Sequence, residues 1–231
     1  MIPAEKIIVA LDTQDRETFD QLLHALAGEE VWVKIGMEMF YSIGPDAVLK
    51  AKDLGLKVFL DLKLHDIPNT VAQSLKSLSR LPIDMVNVHA AGGKVMMEKS
   101  FEAMEKLPKR PLLIAVTQLT STTQTQMNSD QRIQGTIESS VLHYAKLARD
   151  SHFDGVVSSP LEVKAIKELL GSNFLTVTPG IRPSGNDLHD QKRVTTPLEA
   201  LALGTDYMVI GRPITQSTNP KQALRDILQG K

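Results

Sequence analysis

The sequence predicts a protein of the α/β class, a single (β/α)₈ or TIM barrel in which eight parallel strands are each followed by a helix. Short apolar runs rich in β-branched residues alternate with polar stretches of helical spacing, as repeated strand–helix units do. No Pro/Gly/Ser-rich linker or run of like charge divides the 231 residues, so residues 1–231 are assigned to one domain. The alternative, an open doubly wound sheet, usually has a glycine-rich turn after its first strand. Here that strand ends Leu11-Asp12-Thr13, without glycine.

Each strand is predicted from one apolar run, and the residues between the runs predict the helices. Helical spacing covers Glu17–Leu26, Ile133–Arg149 and Leu161–Leu170, and a further helix begins after Asp66. Pro45 lies where a proline commonly opens a helix. The predicted strands are Lys6–Asp12, Val31–Gly36, Lys57–Leu64, Asp84–His89, Leu112–Gln118, Gly155–Ser159, Phe174–Pro179 and Tyr207–Gly211.

The composition favours a small-molecule ligand. Lys and Arg number 26 against 27 Asp and Glu, so the chain lacks the basic excess that binding to nucleic acid requires. No apolar run approaches the length of a membrane span, and we expect no membrane association. The absence of cysteine excludes disulfides and thiolate chemistry and suits a reducing compartment, so a cytoplasmic protein is expected.

Ionisable residues collect at the carboxyl ends of the first three predicted strands. Asp61 and Lys63 alternate with leucines on strand three, which directs both into the barrel if the leucines face the helices. Asp12 ends strand one, Lys34 lies near the carboxyl end of strand two, and Asp66 follows strand three. Active sites of this fold lie at this end of the barrel. Because carboxylates beside a lysine favour its charged form, the cluster predicts a protonated lysine rather than an amine nucleophile.

A phosphate site is predicted on the opposite side of the barrel mouth. The loops after strands seven and eight commonly bind phosphate in this fold. They contain Arg182 and the pair Gly211-Arg212, which supply guanidinium groups and an approachable backbone. The polar stretch 119–128 and the stretch 180–192 are longer than ordinary connections and are interpreted as active-site loops. His89, at the end of strand four, is interpreted as a hydrogen-bonded structural residue.

The strand-three motif, Asp61-x-Lys63-x-x-Asp66-Ile67-Pro68-Asn69-Thr70, resembles the signature of the orotidine 5′-phosphate decarboxylase family. The resemblance extends over essentially the whole chain, because further blocks occur in family order. They are Asp12, Val33–Glu38, Asn87–Ala90, Val116–Ser121, Thr178–Arg182 and Val209–Arg212.

The resemblance implies a homodimeric enzyme that converts orotidine 5′-monophosphate to UMP and CO₂, the last step of de novo UMP biosynthesis, without metal or organic cofactor. It implies a charge network of Lys34, Asp61, Lys63 and Asp66 in which Lys63 donates a proton to C6. Asp66 and Thr70 are expected to reach the partner's active site. The other implied substrate contacts are Asp12 to the ribose, Thr120 to the pyrimidine, and Arg182, Gln191, Gly211 and Arg212 to the phosphate.

Two alternatives remain open on the residues alone. One is a Mg²⁺-dependent sugar-phosphate decarboxylase or aldolase of the same barrel group, which has a similar D-x-K-x-x-D motif. Lys34 argues against it, because a lysine repels a cation that needs oxygen ligands. The other is a non-catalytic module that binds a phosphorylated ligand.

Overall fold

The structure is a computed structural model that describes residues 1–13, 15–183 and 195–231. In these residues eight parallel strands pair in chain order and close into a barrel, which confirms the predicted fold. The strands are β1 (Ile7–Ala10), β2 (Trp32–Gly36), β3 (Lys57–Leu64), β4 (Met85–His89), β5 (Leu112–Val116), β6 (Gly155–Val157), β7 (Leu175–Thr178) and β8 (Tyr207–Ile210).

Helices follow the strands and cover the outside of the barrel. Among the described residues, no helix has the length and apolar character needed to cross a lipid bilayer. The α-helices are α1 (Arg16–Leu26), α2 (Met37–Ile43), α3 (Asp46–Asp53), α4 (Pro68–Leu78), α5 (Gly93–Met104), α6 (Gln124–Ser129), α7 (Ile137–Asp150), α8 (Val163–Leu170), α9 (Pro197–Ala202), α10 (Arg212–Thr215) and α11 (Pro220–Leu228).

Two predicted boundaries differ from the structure for local reasons. The helix predicted from Ile133 begins only at Ile137, because Gly135 has a φ of +98° and Thr136 caps the helix by accepting a hydrogen bond from the backbone of Ser139. The long polar stretch after β5 is partly helical. Thr123 and Gln126 form a capping box that starts α6 within this stretch.

The apolar residues form two layers, because alternate side chains of each strand face opposite sides. The larger layer lies between strands and helices and includes Leu60 and Leu62 of β3, as predicted. The smaller layer fills the barrel interior below the site. It comprises Ile8, Ala10, Trp32, Phe59, Met85, Ile114, Val177 and Val209.

β3 is irregular where it reaches the barrel mouth. Leu60 pairs with Val86 and Leu64 with Val88, so β3 carries extra residues relative to β4 between these two pairs. Lys63 lies in this bulge and has a φ of +51°, a left-handed conformation that is uncommon for a residue with a side chain.

Aspartates join neighbouring strands at the opposite end of the barrel. Asp154, just before β6, accepts hydrogen bonds from Arg110 at 2.6 and 2.9 Å and from the backbone N–H of Leu113 at 2.7 Å. Asp84, just before β4, accepts equivalent hydrogen bonds from Lys52 and from the backbone N–H of Val58 in β3. Asp206, just before β8, accepts them from Lys167 and from the backbone N–H of Thr176 in β7. The arrangement ties strands together away from the site.

Candidate active site

Four charged side chains form a continuous alternating network at the barrel mouth. Lys34 Nζ lies 2.9 Å from Asp12 Oδ1 and 3.3 Å from Asp61 Oδ2. Lys63 Nζ lies 2.8 Å from Asp61 Oδ1. The order of charges is therefore Asp12, Lys34, Asp61, Lys63. The strands explain it: Lys34 is in register with Ala10 of β1, and Asp61 with Gly36 of β2.

The network keeps its central members ionised. Burial by itself would lower the pKa of Lys34, but the carboxylates of Asp61 and Asp12 outweigh it and raise that pKa. Burial would raise the pKa of Asp61, yet Lys34 and Lys63, with hydrogen bonds from Lys63 and Asn87, lower it. Lys34 is thus held as an ammonium, which excludes it as a neutral amine nucleophile at neutral pH.

Two adjoining cavities open onto this network. The first, here called the charged chamber, has a volume of about 250 Å³ and is lined by Asp61, Lys63 and Thr120 among others. The second, the arginine chamber, has a volume of about 320 Å³ and includes Arg182 and Arg212. Both are lined by Asp12, Lys34, Pro179 and Val209, so the network stands where the chambers meet.

The arginine chamber contains the residues predicted to bind phosphate. Arg182 is buried, and its Nη1 donates to the carbonyl of Ile181 at 2.9 Å. Gly211 and Arg212 lie together at the end of β8 and line the same cavity. A Cβ built on Gly211 would come no closer than 3.4 Å to Ala10 Cβ, an ordinary contact, so packing within the chain does not require this glycine. Gln191 lies outside the described residues.

Asp66 and Thr70 lie apart from the network. Both are exposed, and neither of these two described residues lines either chamber. The Asp66 carboxylate accepts a hydrogen bond from the backbone N–H of Ile67 at 2.6 Å. The strand pattern alone placed Asp66 with the cluster at the mouth; within one chain its carboxylate is exposed and lines neither chamber, and its role in the site stays a prediction. Thr70 lies in the first turn of α4.

Three residues near the network were not identified as site residues from the sequence. Asn87 bonds to both Asp61 and Lys63, and Gln118 lines the charged chamber. Gly36 lies against the network, since a Cβ built on it would stand 2.8 Å from Asp12 Oδ1. The sequence offered one signal for Asn87, because it is a polar residue between valines in β4. Gly36 offered none, because its closeness to the network is visible only in the three-dimensional structure.

His89 does not fit its structural interpretation. Its buried Nδ1 has no hydrogen-bond partner among the described residues. The ring stacks on His65 with centroids 5.5 Å apart. Burial, and then the nearby charges of His65 and Lys63, lower the pKa of His89. This histidine is therefore held neutral at the edge of the site.

Comparison with known proteins decides the family. The model described as "Orotidine 5'-phosphate decarboxylase / HUMPS family" matches residues 5–227. The chain belongs to this family. It is 50% identical over 230 residues to orotidine 5'-phosphate decarboxylase of Bacillus mycoides (strain KBAB4), covering 98% of this chain and 97% of that one. The orotidine 5'-phosphate decarboxylase of Bacillus cereus (strain G9842) is equally similar, at 50% identity over 230 residues.

Solved structures agree with this membership of the decarboxylase family. The crystal structure of orotidine 5'-phosphate decarboxylase from Lactobacillus acidophilus is similar, with a TM-score of 0.86 and 40% identity over 98% of both chains. An uncharacterized conserved protein from Geobacillus kaustophilus also has a TM-score of 0.86, at 43% identity, covering 97% of this chain and 99% of that one. The likeness to these two structures therefore extends over nearly the whole chain.

Proposed function

We propose that this protein decarboxylates orotidine 5′-monophosphate to UMP and CO₂, and that it does so with its own charged residues. Membership of the decarboxylase family supports the reaction. The observation that carries the proposal is the alternating network between two joined chambers. A nucleoside monophosphate has matching parts: a base for the charged chamber, a phosphate for the arginine chamber and a ribose between them.

The network suits a reaction that leaves an electron pair on carbon. When the bond between C6 and the carboxylate breaks, its electrons stay on C6, where no adjacent carbonyl absorbs them fully. Fixed cations aimed at that atom stabilise the transition state more than the substrate. Lys63 Nζ supplies the charge and then transfers its proton to C6, which gives UMP, and solvent reprotonates the amine. Asp61, shared by both lysines, keeps them in place.

The phosphate end contributes binding energy at a distance from the reacting carbon. Arg182 and Arg212 present two guanidinium groups to the arginine chamber, and such groups form strong charge-assisted hydrogen bonds with phosphate. Binding energy from this remote group helps to orient the base in the charged chamber. Asp12 is proposed to hold the ribose hydroxyls, Thr120 the pyrimidine edge, and Gly211 and Gln191 further phosphate oxygens.

The arrangement of charged groups in the network argues for a reaction without a divalent cation. Lys34 Nζ lies between the carboxylates of Asp12 and Asp61, where a metal ion would otherwise find its oxygen ligands. We therefore expect activity to survive removal of metal ions. This distinguishes the proposed reaction from the Mg²⁺-dependent sugar-phosphate alternative.

The direct test follows the loss of orotate absorbance when the protein is added to orotidine 5′-monophosphate in metal-free buffer. We expect turnover with and without EDTA. Lys63→Ala should abolish most turnover while retaining UMP binding, and Lys164→Ala, an exposed lysine of α8, is the matched control. An unchanged rate in Lys63→Ala would remove Lys63 from the mechanism, and activity lost with EDTA would refute the metal-free reaction.

We also propose a homodimer in which Asp66 and Thr70 complete the partner's active site. Their exposure, away from the network of their own chain, supports this. Lys63→Ala and Asp66→Ala proteins, each nearly inactive, should regain partial activity when mixed, because a mixed dimer contains one intact site. Absence of any regain after confirmed subunit exchange would contradict the shared site.

Two further expectations stay predictions. A cytoplasmic location is expected from the lack of cysteine and is tested by fractionating cells that express the protein. The assignment of residues 1–231 to one domain is tested by limited proteolysis, which should give no stable fragment smaller than the barrel.

A further inference from the structure

Asn87 is a buried polar residue in the middle of an apolar strand. It lies in β4 between Val86 and Val88, and only 1% of its surface is exposed. Its side-chain amide makes two hydrogen bonds. The oxygen accepts from the backbone N–H of Lys63 at 2.8 Å, and the nitrogen donates to Asp61 Oδ1 at 2.7 Å. The oxygen and the nitrogen of this amide thus each bond to a member of the charged network, Lys63 and Asp61 respectively.

The hydrogen bond to Asn87 gives the backbone N–H of Lys63 a partner within the bulge. β3 and β4 lose their regular register between Leu60 and Leu64, and Lys63 has the unusual positive φ of +51°. A backbone N–H in such a segment has no regular ladder partner, and a buried N–H left unpaired is costly. Asn87 reaches across from β4 and supplies the acceptor, so it supports the conformation that aims the Lys63 side chain.

The bond to Asp61 orients the carboxylate. Asp61 Oδ1 accepts from both Asn87 and Lys63 Nζ, the latter at 2.8 Å, whereas Oδ2 faces Lys34 at 3.3 Å. Three hydrogen bonds close a ring: Asn87 donates to Asp61, Lys63 Nζ donates to Asp61, and the backbone N–H of Lys63 donates to Asn87. Rotation of the carboxylate would disturb contacts to Asn87, Lys63 and Lys34 at once.

We propose that Asn87 is a positioning residue that holds Lys63 at both ends, through its backbone N–H directly and through its ammonium by way of Asp61. The inference rests on the proposed function, because its value lies in aiming the proton donor at C6. Asparagine suits the role because its amide offers one acceptor and one donor. Aspartate of the same shape would keep the acceptor and, when ionised, would lose the donor and repel Asp61.

The test compares Asn87→Ala and Asn87→Asp with the parent protein. Misplacement of a reacting group by about 1 Å costs about 100-fold in rate, and we expect kcat to fall by about that factor in both variants at neutral pH, with KM and UMP binding little changed. The matched control is Thr176→Val, which removes a buried polar contact at the other end of the barrel. It should lower the melting temperature and leave kcat unchanged.

The pH profile separates positioning from mere stability. In Asn87→Asp the introduced carboxyl shares its site with Asp61, so one of the two takes up a proton as pH falls. Once protonated, the introduced carboxyl can donate to Asp61 as the amide does. The ratio of variant to parent kcat should therefore rise toward acid pH for Asn87→Asp and stay flat for Asn87→Ala.

The outcomes are distinct. If the parent protein fails to turn over orotidine 5′-monophosphate, the proposed function is wrong. If it turns over and the Asn87 variants match it, or lose kcat only in proportion to their loss of folded protein as Thr176→Val does, the positioning role is wrong. If Asn87→Ala does not fold, the acid recovery of Asn87→Asp decides alone, and a flat ratio overturns the inference.

Discussion

Replacing Lys34 with methionine tests the central claim that the network is a set of mutually dependent charges. The substitution keeps most of the side chain's volume and removes the ammonium. It leaves Asp61 without one of its two lysines and Asp12 without its partner at 2.9 Å. We expect a marked loss of stability together with a loss of turnover.

The size of the effect follows from burial. The side chains of Lys34 and Asp61 are each 10% exposed, whereas that of Asp12 is 52% exposed and can be solvated by water. Removing one partner of a buried pair costs about 3–5 kcal/mol. Asp61 keeps its bonds to Lys63 and Asn87, so we expect the lower end, about 3 kcal/mol at pH 7.5.

The pH dependence gives the prediction a sign. In the parent protein the pKa of Asp61 is lowered, so its stabilising contribution is present above the ordinary carboxyl range and is lost progressively as pH falls below that range. Without Lys34, fewer cations offset the effect of burial on Asp61, so the pKa of Asp61 rises. The variant's carboxyl can then be protonated in mild acid, and the stability difference from the parent should shrink between pH 7.5 and pH 5.

The assay is urea unfolding followed by the fluorescence of Trp32, the single tryptophan, which is buried in the barrel interior. Lys164→Met, at an exposed pair, is the control and should cost less than about 1 kcal/mol. A Lys34→Met loss no larger than the control's would refute the claim that the charges depend on one another. If the difference in unfolding free energy between variant and parent widened in acid, the assignment of its pH dependence to Asp61 would be refuted.

Three further predictions concern other parts of the barrel. Gly36→Ala should lower kcat/KM about tenfold or more, because its Cβ would stand 2.8 Å from Asp12 Oδ1 and displace it; steady-state kinetics with unchanged kcat/KM would contradict this. The lowered pKa of His89 means that the unfolded state binds more protons below about pH 6.5, so unfolding free energy should fall as pH drops through that range, and His89→Asn should flatten the fall in urea titrations. Asp154→Ala should cost about 1–3 kcal/mol by leaving a backbone N–H and Arg110 unpaired, with kcat unchanged; a kcat loss in the folded variant would show that this end of the barrel is coupled to the site.

Local patterns were enough to predict most of the framework. All eight predicted strands are present, with ends shifted by at most two residues, because a buried parallel strand needs a continuous apolar run. Alternation along β3 correctly directed Asp61 and Lys63 inward, since side chains of a strand face opposite sides in turn. The start of α7 was missed because a glycine and a capping threonine outweighed the apolar periodicity that preceded them.

By itself, the sequence determined the barrel, the charged residues at its mouth and, through the family motif, the chemistry to expect. Those are properties of residue type and spacing, which short-range geometry controls. Only the tertiary structure decided that Asp12, Lys34, Asp61 and Lys63 form one alternating chain, that Asp66 stands outside it, and that Asn87 holds Lys63 in a bulge. These facts depend on register between strands distant in sequence and on distances of 2.7 to 3.3 Å, which no spacing along the chain specifies.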